Sequence, residues 1–356
     1  IKKKNCLIPY SRQFIDNSDI RSVCNVLKSD FISQGPVLEK FSRNLIKYTG
    51  SNYVTLVNSG TSALHTACAS LGLKKNDILW TVPNSFCASS NCGLFLGAKV
   101  DFVDIDENTY NICIKNLKKK LLLSNKKNLP NILVVVHFAG NPCNLIEIKQ
   151  LSKKYKFKII EDASHAIGGT HNGEKIGSCK YSSITVFSFH PVKIITTAEG
   201  GVATTNSQKI AEKMKSYRSH GIRRLNKEQS NKISDEIWNY KQESLGFNYR
   251  LNDLQSALGL SQLNRLENIL ERRHKIAENY DNCLADLGIQ LPYQDPRNSS
   301  SYHLYPIRVS DTKGGVSQKE MYYYLRDNNI FVNLHYIPIY RQPYFKQLGF
   351  KKNYCP

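Results

Sequence analysis

The sequence predicts an α/β protein: a large, mostly parallel sheet with helices on both faces, followed by a small C-terminal α+β domain. Three observations lead there. Short apolar runs alternate with amphipathic stretches of helical length through residues 50–206. A long stretch with apolar residues at helical spacing follows at 251–280. Apolar alternation then returns at 290–356. At 356 residues the chain is long for one core. The expected division is 1–245 for the large domain with its N-terminal segment, and 246–356 for a linking helix and the small domain.

Taken in order, residues 1–50 contain one helical stretch, Asp19–Lys28. YVTLV (53–57) reads as a strand and TSALHTACASLGL (61–73) as a helix. ILWTV (78–82) is a strand, FCASSNCGLFLGA (86–98) a helix and KVDFVDI (99–105) a strand. NILVVV (131–136) and KIIED (158–162) are strands on either side of the helix LIEIKQLSKKY (145–155). The polar tract 223–247 reads as a surface loop. The stretch 251–280 carries Leu251, Leu254, Leu258, Leu263, Leu266 and Leu270, and reads as one long helix leading into the second domain. YHLYPIRV and IFVNLHYIPIY supply the alternation of the small domain. The chain closes at KKNYCP without a further element, so the C-terminus is expected to be incomplete.

Composition excludes several classes. Apolar residues make up 41% and charged residues 22%, as in ordinary globular proteins. The longest apolar run, ILVVV at 132–136, is far shorter than the ~20 residues a membrane helix needs. The N-terminal stretch has basic residues but no apolar core of a secretory signal. Ten cysteines are scattered without a Cys-x-x-Cys pair, so no metal or disulfide framework is expected and the compartment reads as cytoplasmic. The net charge of +20 raises nucleic-acid binding. The lysines are dispersed, however (118–120, 126–127, 153–158, 351–352), with no aromatic interleaving and no DNA-binding motif. Charge of that kind speaks to solubility and to anionic small molecules rather than to a nucleic-acid fold.

Three stretches carry chemistry. NSGTSALHTA (58–67) follows a strand and opens a helix. Gly60 permits a tight turn, and the first amides of the helix with Thr61 and Ser62 make either an anion site or an ordinary cap. In KIIEDASHAIG (158–168), Asp162 ends a buried strand, where ligands of such sheets gather. It can hold a cationic ring nitrogen or cap a turn, and His165 lies three residues on. In FSFHPVKIITTAEGG (187–201), Lys193 stands alone among apolar residues, with Ser188 before it and Gly200–Gly201 after it. Desolvation lowers a lysine's pKa and makes it a nucleophile toward aldehydes. The other reading is a surface lysine at a strand end. Phe86 follows the next strand and can stack on a ring or fill the core. An anion cradle, a carboxylate and an amine together meet the needs of pyridoxal 5′-phosphate.

Over essentially its whole length the chain resembles the DegT/DnrJ/EryC1/StrS family of pyridoxal-phosphate-dependent sugar aminotransferases. The motifs are NSGTSAL, PNSFCASSN, EDASHAIG, FSFHPVKIITTAEGG, GFNYRLNDLQSALGLSQL and HYIPIY. The resemblance implies the type I, aspartate aminotransferase-like fold. It implies Lys193 as the Schiff-base lysine, Asp162 as partner of the pyridinium nitrogen, His165 near the ring hydroxyl and Phe86 stacked on the ring. It further implies Gly60, Thr61, Ser62 and Ser188 at the phosphate. Asn248 matches an asparagine that reaches the phosphate of a neighbouring subunit, so a homodimer is implied as well.

SFHPVKIITTAEGG, RSHGI, HLYPI and HYIPIYRQPYF resemble the subfamily that aminates carbon 4 of a UDP-linked 4-keto-6-deoxy-N-acetyl sugar in pseudaminic acid synthesis. The implied donor is glutamate, and the implied partners are the UDP-sugar and a second copy of the chain, with no nucleic acid and no membrane. Arg218, Arg223, Arg224 and Arg250 are candidates for the diphosphate. Relatives that dehydrate sugars carry histidine at the lysine position. His190 lies close by, but Lys193 occupies that position here, which argues against dehydration.

Overall fold

The computed structural model describes residues 7–224, 240–309 and 315–355. Its centre is a seven-stranded sheet in the order β1-β9-β8-β5-β4-β2-β3. The strands are β1 (Tyr53–Val57), β2 (Ile78–Thr81), β3 (Lys99–Phe102), β4 (Ile132–Val136), β5 (Lys158–Asp162), β8 (Ile184–Ser188) and β9 (Gly201–Thr205). The pairs from β8 through β5, β4 and β2 to β3 are parallel. Only β9 runs the other way, between β8 and β1. Two small sheets lie outside: β10 (Ile222–Arg224) with β11 (Tyr240–Gln242), and β6 (Thr170–His171) between β7 (Glu174–Lys175) and β12 (Asn298–Ser299).

The residues of β4 show why the sheet needs cover on both faces. All five positions of ILVVV are buried. Leu133 and Val135 point into one apolar cluster, with Phe41, Leu45, Trp80 and Ile159. Ile132 and Val134 point into the other, with Leu64, Leu79, Phe102 and Ile160. That two-residue period is the strand's own geometry. Helices α2 (Pro36–Thr49), α5 (Ile114–Leu123), α6 (Leu145–Tyr155), α8 (Asp253–Leu263) and α9 (Leu266–Leu284) supply the first cluster. Helices α3 (Gly60–Ser70), α4 (Ala88–Leu94) and α7 (Gln208–Arg218) supply the second. Helix α1 (Asn17–Leu27) packs on α8. No helix of the described residues is long and apolar enough to cross a membrane.

Four sequence-based expectations change. The N-terminal fifty residues hold two helices, α1 and α2. Residues 251–280 form two helices rather than one, broken at Asn264–Arg265, where the Arg265 guanidinium turns back to the carboxylates of Asp16 and Asp19. The tract 223–247 is not all loop: its ends form the β10–β11 pair, while residues 225–239 lie outside the described residues. In 290–356 the alternation gives little strand. Among the described residues β12 pairs with β6 of the preceding chain, and the helices are α10 (Gln318–Asp327) and α11 (Pro343–Gln347). Ile339, Tyr340, Phe345 and Cys355 pack into the second apolar cluster with Phe102.

Helix α2 lacks a side-chain cap of its own, because Gly35 holds the N-cap position. The cap comes from 218 residues away: the buried Asp253 carboxylate accepts from the amides of Gly35, Val37 and Leu38 at 3.0, 3.2 and 3.1 Å. A carboxylate at a helix N-terminus also meets the helix dipole favourably. The Asp253→Ala variant is expected to lose about 2 to 3 kcal/mol, as charged hydrogen bonds vanish and buried amides go unpaired. Asp253→Asn recovers part of that loss. Urea unfolding monitored by circular dichroism checks both.

Candidate active site

Strand β8 ends at Ser188, and the chain returns as β9 with Ser188 opposite Gly201. Residues 189–200 therefore form a loop closed at its base. Phe189 N–H donates to the Gly200 carbonyl at 2.9 Å, and Thr197 N–H to the Phe189 carbonyl at 3.0 Å. Phe189, Ile194 and Ile195 are buried in the apolar core and anchor the loop from below. The half-buried Lys193 is thereby held at the edge of a cavity of about 470 Å³. Burial pulls its ammonium pKa down to about 8, and the Asp162 carboxylate opposes that shift. This placement sets Lys193 apart from a lysine on open surface.

Asp162 closes β5 and lines the same cavity. It is 5% exposed. One carboxylate oxygen accepts from Ser89 Oγ at 2.6 Å, the other from Ser164 Oγ at 2.6 Å and Ser164 N–H at 3.2 Å. Three hydrogen-bond donors converge on this buried carboxylate and fix its orientation.

The opposite wall is the start of α3. Ser59 caps the helix through Ser62 N–H, and the first-turn amides of a helix have no acceptor within it. Gly60 and Thr61 line the cavity there beside Ser188. The backbone approach demands glycine: a Cβ on Gly60 would sit 2.9 Å from Ser188 Cβ, and one on Gly201 would sit 2.4 Å from the Ser59 carbonyl. Phe86 is 61% exposed and stands at the cavity wall rather than in the core.

The structure thus gathers Gly60, Thr61, Phe86, Asp162, His165, Ser188 and Lys193 around one space. Ser62 and Asn248 stand apart from it. The Ser62 hydroxyl is engaged with Asn58 Oδ1 at 2.6 Å and Ser59 Oγ at 2.8 Å. Asn248 is exposed, on a segment bridged to Ser219. Neither Arg218 nor Arg250 lines the cavity. Arg218 is spent on the Leu56 carbonyl at 3.0 Å. Of Arg223 and Arg224 only the backbone, in β10, is described.

Several lining residues escaped the sequence reading: Tyr10, His303, His335 and Tyr336. They come from the two ends of the chain. Tyr10 Oη and His335 Nε2 lie 2.7 Å apart across 325 positions. The His165 and His303 rings lie 4.4 Å apart. Burial, then the nearby Lys193 charge, holds both imidazoles well below the usual histidine pKa, and the same causes lower His335 less. The quoted motifs HLYPI and HYIPIY contained the two C-terminal histidines, but nothing local ties them to Lys193.

The model of the DegT/DnrJ/EryC1/StrS aminotransferase family matches residues 13–356. The chain belongs to this family. It is 38% identical over 346 residues to the UDP-4-amino-4,6-dideoxy-N-acetyl-beta-L-altrosamine transaminase of Campylobacter jejuni subsp. jejuni serotype O:23/36 (strain 81-176), covering 96% of this chain and 87% of that one. Helicobacter pylori PseC, an aminotransferase involved in the biosynthesis of pseudoaminic acid, superposes with a TM-score of 0.85 at 32% identity, over 99% of this chain and 90% of that one. The PLP-form of the sugar aminotransferase Spr1654 from Streptococcus pneumoniae superposes with a TM-score of 0.86 at 28% identity, over 97% and 88%.

This DegT/DnrJ/EryC1/StrS aminotransferase uses pyridoxal 5′-phosphate, and its cavity has the chemistry to receive it. A helix start flanked by Ser188 suits the phosphate, the Asp162 carboxylate suits a protonated ring nitrogen, and Lys193 suits the aldehyde. Buried Nδ1 atoms of His165 and His303 have no hydrogen-bond partner among the described residues. In cofactor-free protein, the rate of Lys193 labelling by an amine-selective reagent is expected to rise with a midpoint near 8, since the neutral amine is the nucleophile. Asp162→Asn removes the opposing charge and moves the midpoint lower. Peptide mass spectrometry across a pH series reads both.

Proposed function

We propose that this enzyme transfers an amino group from glutamate to carbon 4 of a UDP-linked 4-keto-6-deoxy-N-acetylhexosamine. The product is a UDP-4-amino sugar for pseudaminic acid or a related surface glycan. The observation that carries the reading is Lys193 facing Asp162 in one cavity of a chain 38% identical to a transaminase of that sugar class. The likeness to PseC across 99% of the chain supports the same substrate.

Bound pyridoxal phosphate supplies an electron sink for negative charge at the carbon that loses its proton. The protein's part follows from its groups. Gly60, Thr61 and Ser188 would hold the phosphate, while the Ser62 hydroxyl stays with Asn58 and Ser59. Asp162, fixed by Ser89 and Ser164, keeps a proton on the ring nitrogen. Phe86 would face the ring and His165 the ring hydroxyl from the cavity wall. Lys193 would hold the aldehyde, and its free amine would take a proton from, and return one to, the reacting carbon of the bound substrate. A pKa of about 8 suits both directions, because an acid–base group works best near the ambient pH.

The enzyme works as a homodimer, in which exposed Asn248 reaches the phosphate of the neighbouring site. Residues 1–245 form the cofactor-holding part and 246–356 the linking helices and small domain. The nine described cysteines are all unpaired, which supports a cytoplasmic setting.

The test is single-turnover amination. Enzyme treated with ¹⁵N-glutamate, freed of donor and mixed with the UDP-4-keto sugar is expected to give ¹⁵N-labelled UDP-amino sugar, and Lys193→Ala none. Unlabelled sugar from wild-type enzyme that has lost its visible band to glutamate would reject the substrate. Subunit mixing tests Asn248. Lys193→Ala and Asn248→Ala subunits, each nearly inactive, are expected to recover about one quarter of wild-type activity after equimolar mixing, since half the dimers hold one intact site. No recovery in verified heterodimers contradicts the shared site.

A further inference from the structure

The second imidazole beside Lys193 belongs to none of the groups assigned so far. His303 is 6% exposed and lies in the segment 300–304, far from Lys193 in sequence. That segment is stitched into the cavity wall on two sides. Ser301 N–H donates to the Gly140 carbonyl at 3.1 Å and Leu304 N–H to the Ala139 carbonyl at 3.2 Å, just beyond β4. Ser301 Oγ donates to the His165 carbonyl at 2.7 Å. From outside, Arg273 Nη1 on α9 donates to the Tyr302 and His303 carbonyls at 2.9 and 3.3 Å. So many bonds converge on one short loop that the ring is held in place rather than resting there.

Yet the ring itself is unsatisfied. His303 Nδ1 is buried without a hydrogen-bond partner among the described residues, and so is Nδ1 of His165, whose ring lies 4.4 Å away. A buried polar atom left unpaired is destabilising. Both rings line the space that Lys193 and Asp162 face. The Nδ1 atoms are closed off from that space, so each ring can meet a ligand's oxygen atom only through Nε2, which has no partner among the described residues.

We propose that His303 is a catalytic residue: with His165 it forms a pair of neutral imidazoles that hydrogen-bond oxygen atoms of the group engaged by Lys193. The proposal rests on the aminotransferase reading. The groups facing the pair are Lys193 from the β8–β9 loop, Asp162 from β5, Arg273 from α9, His335 from the C-terminal segment and, through it, Tyr10. Lys193 stands among the causes that keep each histidine uncharged, after burial. A neutral imidazole donates from one nitrogen and accepts at the other. It can therefore hold a hydroxyl without adding a positive charge that would oppose an ammonium on Lys193. The oxygen has two sources, the cofactor's ring hydroxyl or a hydroxyl or keto group of the sugar.

The test compares His303→Ala, His303→Asn and wild type as cofactor-loaded enzymes, with folding checked by circular dichroism and Tm. The asparagine keeps a hydrogen-bonding atom, so it remains informative if the alanine variant fails to fold. The visible spectrum is recorded across pH, and the glutamate and sugar half-reactions are timed separately. A pH midpoint moved by about half a unit or more in the resting enzyme assigns the contact to the cofactor's oxygen. An unmoved resting spectrum with the sugar half-reaction slowed about tenfold or more, partly restored in His303→Asn, assigns it to the sugar. A folded His303→Ala enzyme with wild-type spectrum, pH midpoint and both half-reaction rates overturns the proposal. Wild-type enzyme that takes up no cofactor fails the underlying reading instead, and is recognised before any variant is compared.

Discussion

One amine must stay neutral often enough to react, and the rest of the site is arranged around that need. An exposed lysine is almost fully protonated at neutral pH. Burial at the edge of the cavity pulls Lys193 down to about 8, and Asp162 limits how far it falls. These two effects need opposite things. Desolvation requires the apolar anchorage of Phe189, Ile194 and Ile195 beneath the loop. The carboxylate requires polar support in a buried place, which Ser89 from α4 and Ser164 from the turn after β5 provide. The sheet reconciles them. Adjacent parallel strands β5 and β8 deliver the acid and the lysine loop to the same edge.

That edge also explains the antiparallel strand. A loop that must project a lysine and return at once cannot make the long crossover a parallel neighbour demands. The chain instead folds back as β9, next to β8, and its glycine at 201 passes against the Ser59 carbonyl where α3 begins. The close packing of Gly60 on Ser188 follows from the same approach. The lysine loop and the start of α3 are thus brought together by two close glycine contacts.

How much of this was legible in the sequence depended on how local the cause was. YVTLV and KIIED carry their strand signal in their own residues, and the strands end where the apolar runs end. LIEIKQLSKKY likewise marks its helix from first residue to last. Helix α2 was missed because its start is a glycine capped by Asp253 from α8. The break between α8 and α9 was hidden by leucines that keep helical spacing across it. Its cause is the pairing of Arg265 with acids of α1 and its approach, which no window around residue 265 contains. Alternation in IFVNLHYIPIY was misleading: Ile330 bridges to Ile8 rather than joining a sheet, His335 and Tyr336 line the cavity, and Ile339 and Tyr340 pack into the second core cluster. For the site, motifs near β1, β5 and β8 announced Lys193, Asp162 and the helix start. Tyr10, His303 and His335 carry no such signal, because their meaning arises only when both chain ends close over the sheet.

The central claim is that Lys193, among 49 lysines and arginines, is the group singled out to engage an aldehyde. Borohydride reduction of the protein with stoichiometric pyridoxal phosphate, followed by peptide mapping, tests it most directly. The account predicts a single pyridoxyl mark on the peptide carrying Lys193. A mark spread over the surface lysines, or confined to another residue, would contradict it.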